Sequence, residues 1–187
     1  MDVTLMSLWL PILLSAVIVF FASWIAWMFL PHHKVDWTKI QEEDGFLDAV
    51  RKLGIPPGQY MFPFCTMADM KDPEKKKKWE AGPYGSLILH ASRPSFGKNL
   101  GLVFLFYLVV GIFVAYLASF TLPRGAEYFQ VFRVCGTAAI LGYVFGGIPG
   151  DIFTGRKGRT ILNHVADGVV YGLLTAGAFA GFWPGAM

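Results

Sequence analysis

The chain has 187 residues, 55% of them hydrophobic and 16% charged, with a mean hydropathy of +0.49 and a formal net charge of +3. That mix is too apolar for an ordinary soluble domain. Eleven of the 16 Lys and Arg lie between Pro31 and Asn99 beside nine acids, so no basic field for nucleic acid exists. Two cysteines, Cys65 and Cys135, give no disulfide framework and read as small buried residues.

The first apolar stretch runs from about Leu5 to Leu30. Asp2 precedes it with no Lys or Arg, the run is about twice the length of a signal-peptide core, and no small-x-small cleavage site follows. It reads as a retained transmembrane helix, with Trp9, Trp24 and Trp27 as interfacial anchors and Pro31 as its stop. The polar domain is 31–99. The capping-box spacing of Thr38 and Gln41 predicts a helix over Lys39–Leu53, with Phe46, Leu47, Val50 and Leu53 on one face and Gly54 at its end. Residues 58–64 read as a short extended piece limited by Pro63. A second helix is expected over Pro73–Ala81, with Asp72 as cap and Gly82 as stop. A strand is expected over Gly85–Ser92.

Three further spans follow, about Leu100–Leu122, Phe129–Ile148 and Ile161–Trp183, each close to the roughly 20 residues that cross hydrocarbon. Arg133 sits where it can snorkel to the interface. The polar turn is Gly150–Thr160. Small residues recur every fourth position: Gly111, Ala115 and Ser119 in the second span, then Ala138, Gly142, Gly146 and Gly150 in the third. In the fourth they are Gly168, Gly172, Ala176 and Ala180. Positions four apart share a helix face, and close approach through small residues is a main source of packing in lipid. The expected fold class is therefore all-α membrane: a four-helix transmembrane bundle with a small α+β cytoplasmic domain inserted between helices 1 and 2. The domains are 1–30, 31–99 and 100–187. Basic residues in 31–99 and in Arg156, Lys157 and Arg159 fall on one side if there are four spans. That orients both termini outside and 31–99 in the cytoplasm.

The stretches Pro31-His-His-Lys-Val-Asp-Trp37, Pro57-Gly-Gln-Tyr-Met-Phe-Pro63 and Met70-Lys-Asp-Pro73 resemble a widespread family of small bacterial inner-membrane proteins. The resemblance covers most of the chain. It implies four helices in the bacterial inner (plasma) membrane and carries no activity or site.

The residue most in need of explanation is Asp167, because a carboxylate on a membrane helix is costly unless it faces protein or water. Beside it run Asn163, Tyr171 and Thr175. The topology brings His32 and His33, Asp151, His164 and Asp167 to one membrane level. His164 and Asp167, three apart, can touch on one face. Imidazoles with carboxylates suit zinc or another divalent metal, with His32, His33 and His164 as ligands. They also suit a proton or ion site at Asp167, His164 and Asn163. The plain alternative is that Asp167 fixes packing while His32 and His33 are solvated.

Met61, Cys65, Met67 and Met70 offer Cu(I)-type donors but read as gap-filling residues. Lys75–Lys78 read as a solvated face or a contact with anionic headgroups, with Trp79 favouring the surface. Gly155–Gly158 lacks the strand and the Gly-Lys-Ser/Thr ending of a phosphate loop. Only His164 stands inside a span as an axial haem ligand. No serine-nucleophile motif is present, and no cofactor and no catalysis are expected. The function expected is a non-catalytic accessory or scaffold subunit, contacting membrane lipids and either partner subunits or a second copy of itself. Excess aromatics at Phe20, Phe21, Phe104, Phe106, Tyr107 and Phe113 motivate it. The alternatives are an ion-coupled transporter and a metal-binding membrane protein.

Overall fold

A computed structural model describes residues 3–185, which leaves Asp2 and its part in the signal-peptide argument outside the described residues. The described residues are mostly helical, with one two-stranded sheet among them. Helix α1 is Trp9–Met28, entered through a 3-10 turn, Leu5–Leu8, that is capped by the Thr4 hydroxyl. A second 3-10 turn, Pro31–Val35, carries His32 and His33. Proline at its first position fits because the missing N–H would have had no partner there.

The chain divides into two units. One is Lys39–Ser95; the other takes in everything up to Thr38 and from Phe96 onward. Pro31–Thr38 thus packs with the long helices, and Phe96–Asn99 are already the first turn of the next long helix.

Within Lys39–Ser95, α2 spans Glu43–Leu53 and ends on Gly54 at φ 59°. It starts four residues later than the capping-box spacing predicts. Thr38 does not cap it: the Thr38 hydroxyl accepts from Lys157 Nζ at 3.3 Å. Helix α3, Pro73–Ala81, has the expected bounds, and the Asp72 side chain accepts from the amides of Glu74 and Lys75. Strands β1, Gly58–Phe62, and β2, Gly85–Leu89, pair antiparallel with Tyr60 opposite Leu87. Both end short of the expected limits, β1 directly before Pro63, which has no N–H to donate to a ladder.

In the other unit α4 is Phe96–Thr121 and α5 is Tyr128–Ile140. A π-helical turn, Leu141–Phe145, follows α5, and α6 is Ile148–Phe153. The expected loop at Gly150–Thr160 is therefore helical through Phe153. The last helix, α7, is Gly158–Gly181. Among the described residues, three segments are long and apolar enough to cross a membrane: Leu5–Met28, Phe96–Thr121 and Tyr128–Phe153. Helix α7 has the length, but Arg159, His164, Asp167 and its glycines dilute its apolar character.

Helix α7 packs on α5 and α1, α1 also on α4, and α4 on α5. The α7 groove takes side chains from the other helix. A Cβ on Gly168 would stand 2.6 Å from Val144 Cγ2, and one on Gly172 would stand 2.4 Å from Ile140 Cγ1 and 3.1 Å from its backbone nitrogen. Gly136 meets Ala176 in the same seam. The row Ala138, Gly142, Gly146, Gly150 does not face this groove. Gly142 meets Val110, and Gly146 and Gly150 face open space. The reason is steric: a groove is filled by a ridge, and two facing grooves would leave a void. Gly111 lies against Ile12 and Ser15 of α1, and Ala115 is fully buried with Val114 and Ala118. Ser119 is only half-buried, its hydroxyl donating to the Tyr116 carbonyl at 2.7 Å. Cys135 is buried beside Val131, Ala139 and Phe179.

Of the six aromatics counted as excess, Tyr107 is buried and Phe20 packs edge-on to Phe104 at 5.6 Å. Phe21, Phe106 and Phe113 are exposed.

Candidate metal centre

Pro31 stops α1, and the 3-10 turn behind it sets His32 and His33 side by side, ring centroids 4.2 Å apart. Both rings reach Asp167 on α7. His32 Nε2 lies 3.0 Å from Asp167 Oδ1, and His33 Nε2 lies 2.7 Å from Asp167 Oδ2. The other ring nitrogen of His33 is 2.6 Å from Asp36 Oδ2. The side chains of His33 and Asp36 are 4% and 2% exposed, that of Asp167 14%, so water does little to screen these contacts.

Asp36 is held in turn. Thr160 Oγ1 donates to Asp36 Oδ1 at 3.0 Å, and Asn163 Nδ2 is 3.4 Å from the same oxygen. Asn163 also donates to the His32 carbonyl at 2.8 Å, tying the turn to α7. Burial pushes the Asp36 carboxyl up; hydrogen bonds from His33, Thr160 and Asn163 outweigh burial and hold it below the ordinary range. Trp27, the last indole of α1, stacks flat on His33 with centroids 3.9 Å apart and planes 7° from parallel.

His164 does not pair with Asp167, although the i,i+3 spacing allows it. Its Nδ1 is 3.3 Å from Asp151 Oδ2, and Arg156 Nε donates to Asp151 Oδ1 at 3.1 Å. The His164 ring is 6.0 Å from that of His33. Two metal-sized donor sets result, His32–His33–Asp167 and His33–Asp36–His164, each with its ligand atoms within 4.8 Å of one another.

The hydrogen-bond inventory decides what such a site needs. An ionised carboxylate only accepts, so His33 Nδ1 carries a proton and donates to Asp36. In the neutral ring Nε2 is then a lone pair, facing a carboxylate oxygen at 2.7 Å. Two acceptors at that distance require a cation between them, either a proton or a metal ion. Ligands at 2.0–2.1 Å from a tetrahedral ion stand roughly 3.3 Å apart, a spacing within the 4.8 Å that encloses this donor set. An imidazole whose far nitrogen donates to a carboxylate is the usual outer support of a metal-bound histidine.

His32, His33 and Asp167 are thus brought together. Asn163 serves as a brace, and His164 stands one pair away on Asp151. Asp36, Thr160 and Trp27 were missed as site residues. The Asp36 signal was present, three residues after His33, whereas Trp27 read as a lipid anchor. The sulfur donors Met61 and Met67 are exposed, and Cys65 donates to the Thr66 carbonyl at 3.7 Å. Lys75 pairs with Asp69 and Lys76 with Glu80, so part of the lysine run is neutralised within its own unit. In comparisons with known proteins, the chain matches no family model, no curated protein and no solved structure.

Proposed function

We propose that this chain is a metal-binding integral membrane protein. His32 Nε2, His33 Nε2 and Asp167 are the ligands of a divalent ion, and Asp36 is the carboxylate behind His33. The observation that carries the reading is the convergence of His32, His33 and Asp167 donor atoms within 4.8 Å of one another, with the opposite ring nitrogen of His33 at Asp36. The nitrogen and oxygen donor set, without thiolate, suits zinc, manganese or iron rather than Cu(I). Three protein ligands leave a coordination position for water or a partner's side chain. Four crossings, with residues 39–95 on the cytoplasmic side, belong to the same proposal. So does an accessory place in a larger membrane assembly or a homo-oligomer. The exposed rings of Phe21, Phe106 and Phe113 fit acyl chains and a neighbouring subunit alike.

His33 Nε2 and Asp167 Oδ2 can also share a proton, and the indole stacked on His33 favours a cationic ring. That second reading is a proton site at Asp167, as an ion-coupled transporter would use.

The test is metal analysis across a size-exclusion peak of protein extracted in mild detergent, with the assembly mass measured on the same peak. The metal reading expects about one ion per chain in the wild type and its loss in His33→Ala and Asp167→Asn. A metal-free peak that rebinds no zinc, manganese or iron would leave the proton reading. An assembly mass well above one or two chains, with other proteins present, supports the accessory place.

A further inference from the structure

We infer that the cavity beside Asp167 binds a lipid-soluble quinone or its quinol. The cavity has a volume of about 310 Å³ and lies between α4, the π-helical turn and α7. That is at the lower end of small-molecule sites. It shares Asp167 with the metal centre but does not depend on a metal being bound.

Three observations carry the assignment. The first is an orphaned hydroxyl. Tyr171 lines the cavity and is 7% exposed, and among the described residues its hydroxyl is the buried side-chain polar atom with no partner at hydrogen-bond distance, the Asp167 carboxylate standing beside it. A buried hydroxyl left unpaired is unfavourable, so a ligand oxygen at this point is favoured. The second is the wall. Tyr107, Tyr143 and Tyr171 meet edge to face with centroids 5.9–6.2 Å apart, and all three line the cavity. Rings in that arrangement offer both edges and faces to a flat guest. Tyr143 belongs to the π-helical turn, and such turns often mark functional sites. The third is the mouth. Val103 and Phe106 line the cavity and are exposed on α4, an apolar helix long enough to cross a membrane. This side gives a lipid-borne guest a route in.

The head of the guest follows from charge. Asp151 and Asp167 line the same cavity but are each already paired with basic side chains, so the lining offers an anionic head, fatty acid or phospholipid, no free cation. A cationic head finds the carboxylates engaged already, Asp167 by two histidines and Asp151 by Arg156 and His164. What stays open is one neutral hydroxyl, which donates to a carbonyl and accepts from a hydroxyl. A flat, neutral, oxygen-bearing ring with an apolar tail matches all three features.

The experiment titrates a short-chain naphthoquinone into purified protein in lipid nanodiscs and follows tryptophan fluorescence, with Trp27 at the cavity wall. Empty nanodiscs correct for partitioning. The wild type should show a saturable component that is lost in Trp27→Phe. Tyr171→Phe should weaken it about fivefold, the value of one neutral hydrogen bond. Val103→Trp, which fills the mouth from an exposed position, should weaken it at least about tenfold. Linear quenching in the wild type, or equal affinity in all three proteins, overturns the proposal. So does saturable binding of a quaternary-ammonium amphiphile in place of the quinone. Metal content is measured on the same samples. Metal without saturable quinone binding sinks this inference alone, and quinone binding without metal sinks the metal reading alone.

Discussion

His33 Nε2 lies 2.7 Å from Asp167 Oδ2 across 134 positions of sequence, and the opposite nitrogen of the same ring lies 2.6 Å from Asp36. One imidazole thus joins the end of α1 to α7. The Asp36 contact fixes which nitrogen is protonated, so Asp36 should matter to metal affinity without touching the ion. Asp36→Asn should weaken metal binding by about 10–100-fold, the usual cost of losing an outer carboxylate. The stoichiometry at saturating metal should stay at the wild-type value. A competition titration against a chromophoric chelator reads both. Unchanged affinity would show that Asp36 does not orient His33.

The α5–α7 seam predicts a contrast between two glycines. A side chain at Gly172 meets Ile140 down to its backbone nitrogen at 3.1 Å, so Gly172→Ala forces the helices apart. Overpacking of this kind costs about 1–3 kcal/mol, and Gly172→Leu costs more. Gly146 has nothing within 4 Å of its added Cβ, so Gly146→Ala should be neutral or slightly stabilising. Thermal unfolding in detergent checks both. Equal melting of Gly172→Leu and wild type would refute the close approach.

These two sites also show what sequence carries and what it leaves out. The four-residue spacing of Gly168 and Gly172 marks a groove, because a small residue has the same meaning in any partner's presence. The identity of the ridge that enters it, Ile140 and Val144, depends on the rotation of α5, and branched side chains look alike wherever they face. The same division holds at the site. The level of His32, His33, Asp151 and Asp167 follows from helix direction alone. Which histidine meets which acid follows from the 3-10 turn after Pro31, a local geometry that the composition does not encode. The pairing that the spacing within α7 allows, His164 with Asp167, lost to partners on other elements. Helix α3 was legible to the residue, because Asp72, Pro73 and Gly82 act within one turn of chain. Helix α2 was not, because its apparent cap, Thr38, is engaged with Lys157.

The polar unit carries a pH-dependent tie that can be read separately. Asp69 accepts from the Thr66 amide at 3.0 Å and from the Thr66 hydroxyl at 2.7 Å, and it pairs with Lys75. The Lys75 ammonium, then the Thr66 bonds, hold its carboxyl well below the ordinary 3.8. A lowered folded-state value means that the unfolded chain takes up its proton first as pH falls. The stabilisation is therefore fully present above about pH 4 and is lost as pH drops through the depressed value. The pair is exposed, so salt should weaken it. Hydrogen exchange at the Thr66 amide should accelerate on acidification relative to a peptide reference. Asp69→Asn should remove that acid dependence, and a wild-type profile in the variant would assign the protection elsewhere.

Whether α7 crosses the membrane decides where the whole cluster works. Its Asp167 is compensated by two histidines, which lowers the cost of placing a carboxylate at membrane depth. The positive residues before it, Arg156, Lys157 and Arg159, match the basic excess of residues 31–99 in sign, and a four-span chain puts both on the cytoplasmic side. Single-cysteine labelling tests this. Cys65 serves as the probe for the polar unit in a Cys135→Ala background, and Lys157→Cys and Phe182→Cys are made in a Cys65→Ser, Cys135→Ala background. A membrane-impermeant maleimide added to spheroplasts should label position 182 at once, and positions 65 and 157 only after the membrane is opened. Equal access to 157 and 182 from one side would mean that α7 does not cross. The His33–Asp167 centre would then sit at a membrane surface on three spans.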